Sequence, residues 1–371
     1  MTLMNCIERV PGKLAEISER KFDCRFISGD AEKKQSACEP ADADEWKASN
    51  GEIVIVASGS SYNAAFTAKM FLENTCGFRV TLMYPNIFVN YTPDIRKEAM
   101  HLFISQGGQT RLVYEGLLAA KKAGCVTYAM TAKKDCVIAE AADYFVDMGC
   151  GEEEYLYRTI GFSATAASVM MLGAHIALKQ GRIGEEELAE IKEDLRRAAG
   201  NLEKIKQDTL GWYEANRFSL LRRNTMLVSA TGDLWPVAQE SDIKAMEMVP
   251  MMTKSYELEE FIHGPQNAFH DGMLFILYSK EGEDEEKVQK IAAFLKKEIG
   301  FCAVIGKTAD KEDKRDMALS AESRYFAPLE YITFMQVTAF KMAEARGRDL
   351  SRGVNSVIGQ YIQKTVEGKN R

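Results

Sequence analysis

The stretch 53–69, IVIVASGSSYNAAFTAK, decides the fold. An apolar run leads into a small-residue turn at Ser58-Gly59-Ser60-Ser61, and then into a segment whose alanines share one helical face. That is a strand, a tight loop and a helix. Residues 226–244, MLVSATGDLWPVAQESDIK, follow the same plan, and aligning Gly59 with Gly232 also aligns Ala65 with Ala238. Each copy continues into a second apolar strand, HLFIS (101–105) or MLFILYS (273–279), and then an amphipathic helix, 111–123 or 284–299. Each helix stops at a glycine, Gly124 or Gly300, before a further strand, CVTYAM or FCAVIG. Strand–helix alternation at this spacing predicts parallel sheets covered by helices, so the fold class is α/β with two repeated domains, 35–195 and 205–350. A helical N-terminal segment occupies 1–34, and the polar stretch GDAEKKQSACEPADADEW reads as a loop. The charged pattern 185–207 reads as a solvated connecting helix, and 351–371 as a tail.

Composition narrows the function. A chain of 371 residues, 46% hydrophobic and 27% charged, has material for two cores. Eight cysteines without CxxC pairs, and without histidines at zinc-ligand spacing, suit a reduced, cytoplasmic compartment and no metal. No secretory signal or membrane span is read. The net charge of −7 and the absence of a basic stripe argue against nucleic acid. An anionic ligand would therefore rest on hydroxyls, backbone N–H groups and helix N-termini.

Two loops offer such a seat where strands end: Gly59-Ser60-Ser61, and Ser105-Gln106-Gly107-Gly108-Gln109-Thr110. Neither has the glycine spacing of a nucleotide loop, and no cofactor is expected. The same hydroxyls would also serve as plain helix caps. Residues 238–249, AQESDIKAMEMV, read as a helix with Glu240, Lys244 and Glu247 along one side, which as a bland alternative is a surface ion-pair face. His263 lies in E-F-I-H-G-P (260–265), a tight loop that can fix an imidazole, and His101, His175 and His270 are read as structural.

The run S-Q-G-G-Q-T resembles the phosphate loop of the sugar isomerase (SIS) domain family, and G-S-S-Y-N-A resembles its second ligand loop. The patterns G-D-x-x-P-x-A-x-E, K-x-x-E and E-F-x-H-G-P are similar to the second domain of the isomerase half of glucosamine-6-phosphate synthase. The resemblance spans nearly the whole chain. It implies two SIS domains, each a parallel five-stranded sheet in a three-layer αβα arrangement, with the tail 351–371 closing the site. It implies that Ser61, Ser105, Gln106 and Thr110, supported by Gly59 and Ser60, contact a sugar phosphate. It makes Glu247 the acid/base between C1 and C2 and His263 the ring-opening group, presented to a neighbouring subunit in a homodimer. Both roles fit the residue types, a carboxylate for enolisation and an imidazole for proton transfer near neutral pH.

The chain departs from the synthase pattern at several places. Gly107 stands where the synthase has a serine. Thr2 stands where its amidotransferase has a catalytic cysteine, so release of ammonia from glutamine is not expected. Asn355 or Ser356 occupies the position of its C-terminal lysine, and Lys364 lies further along. Arg158 is placed to meet a carboxylate on a ligand, while Glu152–Glu154 read as a solvated acidic loop. The expected activity is that of a fructosamine-6-phosphate deglycase, which cleaves a 6-phosphofructosyl amine. The alternatives are an amino-sugar phosphate isomerase or deaminase, or a non-catalytic sugar-phosphate sensor.

Overall fold

Residues 2–22 and 51–366 are described by the computed structural model of the chain. The polar stretch read as a loop before residue 50 lies outside them. Helix α1 (Leu3–Glu19) precedes strand β1 (Glu52–Val56), α2 (Ser60–Asn74), β2 (Arg79–Met83) and α3 (Pro85–Tyr91). Then come β3 (Met100–Ile104), α4 (Arg111–Lys122), β4 (Thr127–Thr131), α5 (Val137–Ala141) and β5 (Tyr144–Asp147). Helices α6 (Ile160–Lys179) and α7 (Glu185–Leu221) follow without an intervening strand. The second run is β6 (Thr225–Ala230), α8 (Trp235–Met248), β7 (Met252–Glu257), β8 (Met273–Ser279), α9 (Glu285–Phe294), β9 (Phe301–Gly306), β10 (Met317–Ala318) and α10 (Ala327–Ala345).

The strands form two five-stranded parallel sheets, ordered β2-β1-β3-β4-β5 and β10-β9-β8-β6-β7. The two orders are the same once β6 is matched to β1 and β8 to β3. The central strands β1, β3 and β4 are buried along their whole length, as expected of strands covered on both faces. Each sheet has its own core. Phe103, Val113, Leu117 and Ile138 fill one, and Phe261, Phe275, Val288 and Val304 the other. The two α/β domains read from the repeat are thus tandem layers of helix, sheet and helix.

The chain divides into two compact units. One holds Glu16–Glu152, Thr165–Glu193 and Val357–Arg371, with the first sheet. The other holds Met1–Ala15, Glu153–Ala164 and Asp194–Ser356, with the second. Helix α7 corrects the expectation of a solvated connector. Leu188, Ile191, Leu195, Leu202 and Ile205 form a buried stripe among its charges. Its Asp194 carboxylate accepts the backbone N–H groups of Arg324 (2.9 Å) and Tyr325 (2.7 Å) ahead of α10. Helix α6 is long and apolar enough to cross a membrane by composition, with a mean hydropathy of 1.5, yet 94% of that window is buried inside the protein.

Candidate functional site

In each sheet the chain reverses direction between its two inner strands, β1 and β3 or β6 and β8, and the loops after those strands open on the same edge. After β1, Gly59 takes φ 58° and ψ −139° to turn directly into α2. Space is not the reason for glycine there, because nothing lies within 4 Å of where a Cβ would be. The left-handed backbone is. Gly59, at the N-cap of α2, has no side chain to cap it, and Ser60 and Ser61 are half-buried in the first turn.

After β3, Ser105 is buried and its hydroxyl bonds that of Thr110 at 2.8 Å. Thr110 occupies the N-cap position of α4 but makes no side-chain cap bond. At α4 the Thr110 hydroxyl therefore bonds Ser105 rather than capping the helix. Gly108, at φ 65°, is pinned by steric contact, since a Cβ would lie 2.1 Å from the Cys136 sulfur. Gln106 and Gly108 carbonyls accept N–H bonds from Ala132 (3.0 Å) and Ile138 (3.2 Å), tying the loop to the β4–α5 connection. Gly107 is exposed, has open space at its Cβ position and is not in the left-handed region.

The C-terminal segment brings a feature that sequence spacing concealed. Thr365 pairs antiparallel with Thr110, Arg111 N–H donates to the Lys364 carbonyl (2.9 Å), and Val366 N–H donates to the Gln109 carbonyl (2.9 Å). Lys364, set aside on distance along the chain, thus has its backbone against the hydroxyl loop. Asn355 and Ser356 are exposed at the start of a 3₁₀ turn in the other unit. A Lys-Thr-Val triplet after an apolar, turn-forming tail was the available signal.

In the second unit, α8 carries Glu240, Lys244 and Glu247. Lys244 and Glu240 are fully buried, which overturns the surface-face alternative. The Lys244 ammonium lies 3.2 Å from Glu240 and also bonds Glu247, whose side chain keeps about a third of its surface exposed (31%). Burial works against the charged ammonium, but the two carboxylates outweigh it and hold the lysine pKa above its ordinary value. The adjacent Asp242 points elsewhere, accepting bonds from Thr253 Oγ1 (2.6 Å) and Ser255 N–H (2.7 Å) and fixing α8 to β7.

His263 follows the 3₁₀ turn Glu260–Ile262 and is mostly exposed (61%), with Nε2 2.7 Å from Glu259 Oε1. The remaining histidines serve structure. His101 and His175 bond the backbone carbonyls of Ala99 (3.0 Å) and Met171 (2.8 Å), and burial lowers the pKa of each. His270 accepts the Gly272 N–H at 3.1 Å.

The segment 152–163 differs from expectation. Arg158 donates to the carbonyls of Glu153 (3.0 Å) and Tyr155 (2.9 Å), so its guanidinium braces its own loop. Glu153 is no solvated acid. Its carboxylate accepts the N–H groups of Thr159 (2.6 Å), Ile160 (3.0 Å) and Gly161 (3.0 Å), where α6 begins. Glu154 pairs with Arg9 at 3.0 Å. Among the described residues no group of three or more His, Cys, Asp or Glu side chains could hold a metal ion.

Residues 48–176 match the family model of the SIS domain. The chain is 24% identical over 309 residues to glutamine–fructose-6-phosphate aminotransferase [isomerizing] of Clostridium tetani, covering 82% of this chain and 50% of that protein. It therefore spans about half the length of the curated relatives it matches. Among solved structures, a Clostridium difficile chain described as a phosphosugar isomerase superposes with a TM-score of 0.84 at 23% identity, covering 97% of this chain and 98% of that one. The C-terminal domain of glucosamine-fructose-6-phosphate aminotransferase from Francisella tularensis gives 0.81 at 20% identity, covering 94% and 97%. At those identities the two structures speak for the fold. Residues 48–176 thus match a SIS domain, and over most of its length the chain is similar to about half of a glutamine–fructose-6-phosphate aminotransferase.

Proposed function

We propose that the chain is a sugar-phosphate enzyme working as a fructosamine-6-phosphate deglycase. The observation that supports this most is the α8 cluster: a buried ammonium between two carboxylates, of which only Glu247 reaches solvent. Such a carboxylate is held in place beside a buried ammonium and open to solvent, as a base for a carbon acid requires. Ser61, Ser105, Gln106 and Thr110 hold the 6-phosphate, with N–H donors from the N-terminus of α2 and from α4 beyond Arg111, whose own N–H is taken by the Lys364 carbonyl. The proposal takes the chain to work as a homodimer whose neighbour supplies His263, with the tail closing over the ligand.

His263 opens the sugar ring to the free ketoamine. Glu247 then removes a C1 proton while the C2 oxygen takes one up from solvent, giving the enaminol. Returning a proton to C2, with loss of the N–H proton, forms the aldimine. Water adds at C1, the C1–N bond breaks, and an aldose 6-phosphate and an amine leave. No metal or cofactor enters these steps.

Lys364 supports a second reading. A lysine beside the hydroxyl loop is what an amino-sugar phosphate isomerase or deaminase would use on the open-chain sugar, and its backbone is anchored there. Incubation with a panel of 6-phosphofructosyl amino acids, with glucose 6-phosphate read by a coupled dehydrogenase, separates the two. Turnover of the panel that survives Lys364→Met supports the deglycase. Turnover of glucosamine 6-phosphate alone, lost in that variant, supports the second reading. Binding of hexose 6-phosphates without turnover of either would leave a sensor.

A further inference from the structure

We infer that Glu259 is a positioning residue for His263, fixing its neutral imidazole with the proton on Nε2 and leaving Nδ1 to accept the sugar's proton. The inference rests on the ring-opening role proposed for His263.

An exposed carboxylate–histidine pair is usually weak, because two mobile side chains must be ordered in water. This pair is ordered from several sides. Glu259 Oε1 meets His263 Nε2 at 2.7 Å, while its other oxygen is ion-paired with Lys287 on α9. The Glu259 N–H donates to Glu257 Oε2 at 2.6 Å, where β7 ends. His263 N–H closes the 3₁₀ turn on the Glu260 carbonyl (3.2 Å), and Gly264 at φ 127° turns the chain away behind it. Between Glu259 and His263 the turn drives Phe261, fully buried, into the core of the second sheet. There its ring lies 4.8 Å from Phe269 and 6.3 Å from Phe275. Val288 and Ile291 of α9 belong to the same core, so the helix bearing Lys287 and the turn bearing Glu259 are fastened to one body.

The chemistry follows from which nitrogen is taken. A carboxylate accepts from Nε2–H, which sets the tautomer and steadies the imidazolium once it forms. Nδ1 is then the base. The proton of the anomeric hydroxyl passes to Nδ1, its electron pair becomes the new C=O bond, and the bond from the anomeric carbon to the ring oxygen breaks. The ring oxygen takes the proton back from the imidazolium, so ring opening leaves the histidine unchanged.

The chain has four histidines, so ¹⁵N spectra of histidine-labelled protein are simple to assign, with His263→Asn removing one set. His263 should show a protonated Nε2 and a bare Nδ1 in its neutral form, and Glu259→Gln should abolish the preference. In turnover, Glu259→Gln should lower kcat about tenfold to a hundredfold, part of what a general acid–base group supplies, with KM within about twofold. Glu259→Asp should recover some of the loss. An Nδ1–H tautomer in the unaltered protein, or a Glu259→Gln enzyme with full kcat, overturns the inference. The spectra need no substrate. A correct tautomer in a chain that turns over nothing overturns the function proposed for the site, whereas a wrong tautomer in an active enzyme overturns the positioning role alone.

Discussion

The two sheets share one strand order and differ at most of the loop and helix positions that the proposed function assigns to the ligand. Pairing Gly59 with Gly232 sets Ser60 against Asp233, Ser61 against Leu234, and, one helix further in, Thr67, Phe71 and Asn74 against Glu240, Lys244 and Glu247. Pairing β3 with β8 through their registers on β1 and β6 sets Ser105 against Ser279, Gln106 against Lys280 and Thr110 against Asp284. In the first unit, neutral hydroxyls surround a helix N-terminus with no acid in its first turn. In the second, Lys280 is taken by Asp233, Ser279 Oγ bonds Thr308 Oγ1 at 2.5 Å, and α9 begins with Glu285 and Glu286 after Asp284. Acids there offset the helix dipole that an incoming phosphate would use. The helices reverse the pattern, since α2 carries Thr67 and buried Phe71 where α8 carries the carboxylate–ammonium cluster. One scaffold thus occurs twice, with the buried charges on the helix of one copy and the hydroxyls on the loop of the other. On the proposed function, one unit holds the phosphate and the other moves the proton.

The largest effect should come from the helix. Glu247→Gln keeps the shape and removes the base, so kcat should fall about 10²–10⁴-fold with little change in KM. Steady-state kinetics on the accepted substrate decide it, and near-full turnover would end the division of labour just described. The hydroxyl loop should behave oppositely. Ser105→Ala or Thr110→Ala should raise KM by roughly 10- to 150-fold, the worth of about 1.5–3 kcal/mol for a hydrogen bond to a charged group, and leave kcat less affected. Equal binding of hexose 6-phosphates by both variants would mean that this loop holds no phosphate.

Gly107 offers a smaller and opposite change. Its Cβ position is open and its backbone suits any residue, so Gly107→Ser restores a hydroxyl without strain. KM should fall by about two- to tenfold, the lower range for one added charge-assisted bond. A rise in KM would show that the loop's exposed side is shaped for another purpose.

The repeat was legible because apolar runs, glycine stops and amphipathic helices are local signals, and they fixed the strands MLFILYS and FCAVIG without error. The hydroxyl loops were legible for the same reason. What stayed hidden depends on partners distant in sequence. Nothing local marks α7 as half-buried, since its charges mask a stripe that only packing reveals. Lys244 looked like half of a surface ion pair because burial of a helix face is a tertiary fact. Glu153 looked solvated and Arg158 looked available to a ligand, yet backbone groups a few residues away use them. The pairing of Lys364–Val366 with Gln109–Arg111 joins segments more than half the chain apart, and the Lys-Thr-Val triplet that marks one of them does not say what it pairs with.

The smallest expected effect tests the second loop directly. Asp233 and Lys280 form a partly exposed ion pair, with side chains 22% and 45% accessible, so breaking it should cost no more than about 1 kcal/mol of stability. If the pair only fills the place that a phosphate occupies in the first unit, Asp233→Ser should leave kcat and KM unchanged and shift the thermal midpoint by a few degrees at most. Titration calorimetry with inorganic phosphate should find one site per chain in the unaltered protein. It should still find one in Asp233→Ser, because Glu281, Glu283 and Asp284 keep that loop negative after Lys280 is released. A second phosphate bound by the variant would show that Asp233 alone closes the loop and that the two units differ by one side chain. A fall in kcat would instead place the ion pair in the chemistry, and the acid–base machinery of the second unit would then extend from α8 to the loop that precedes it.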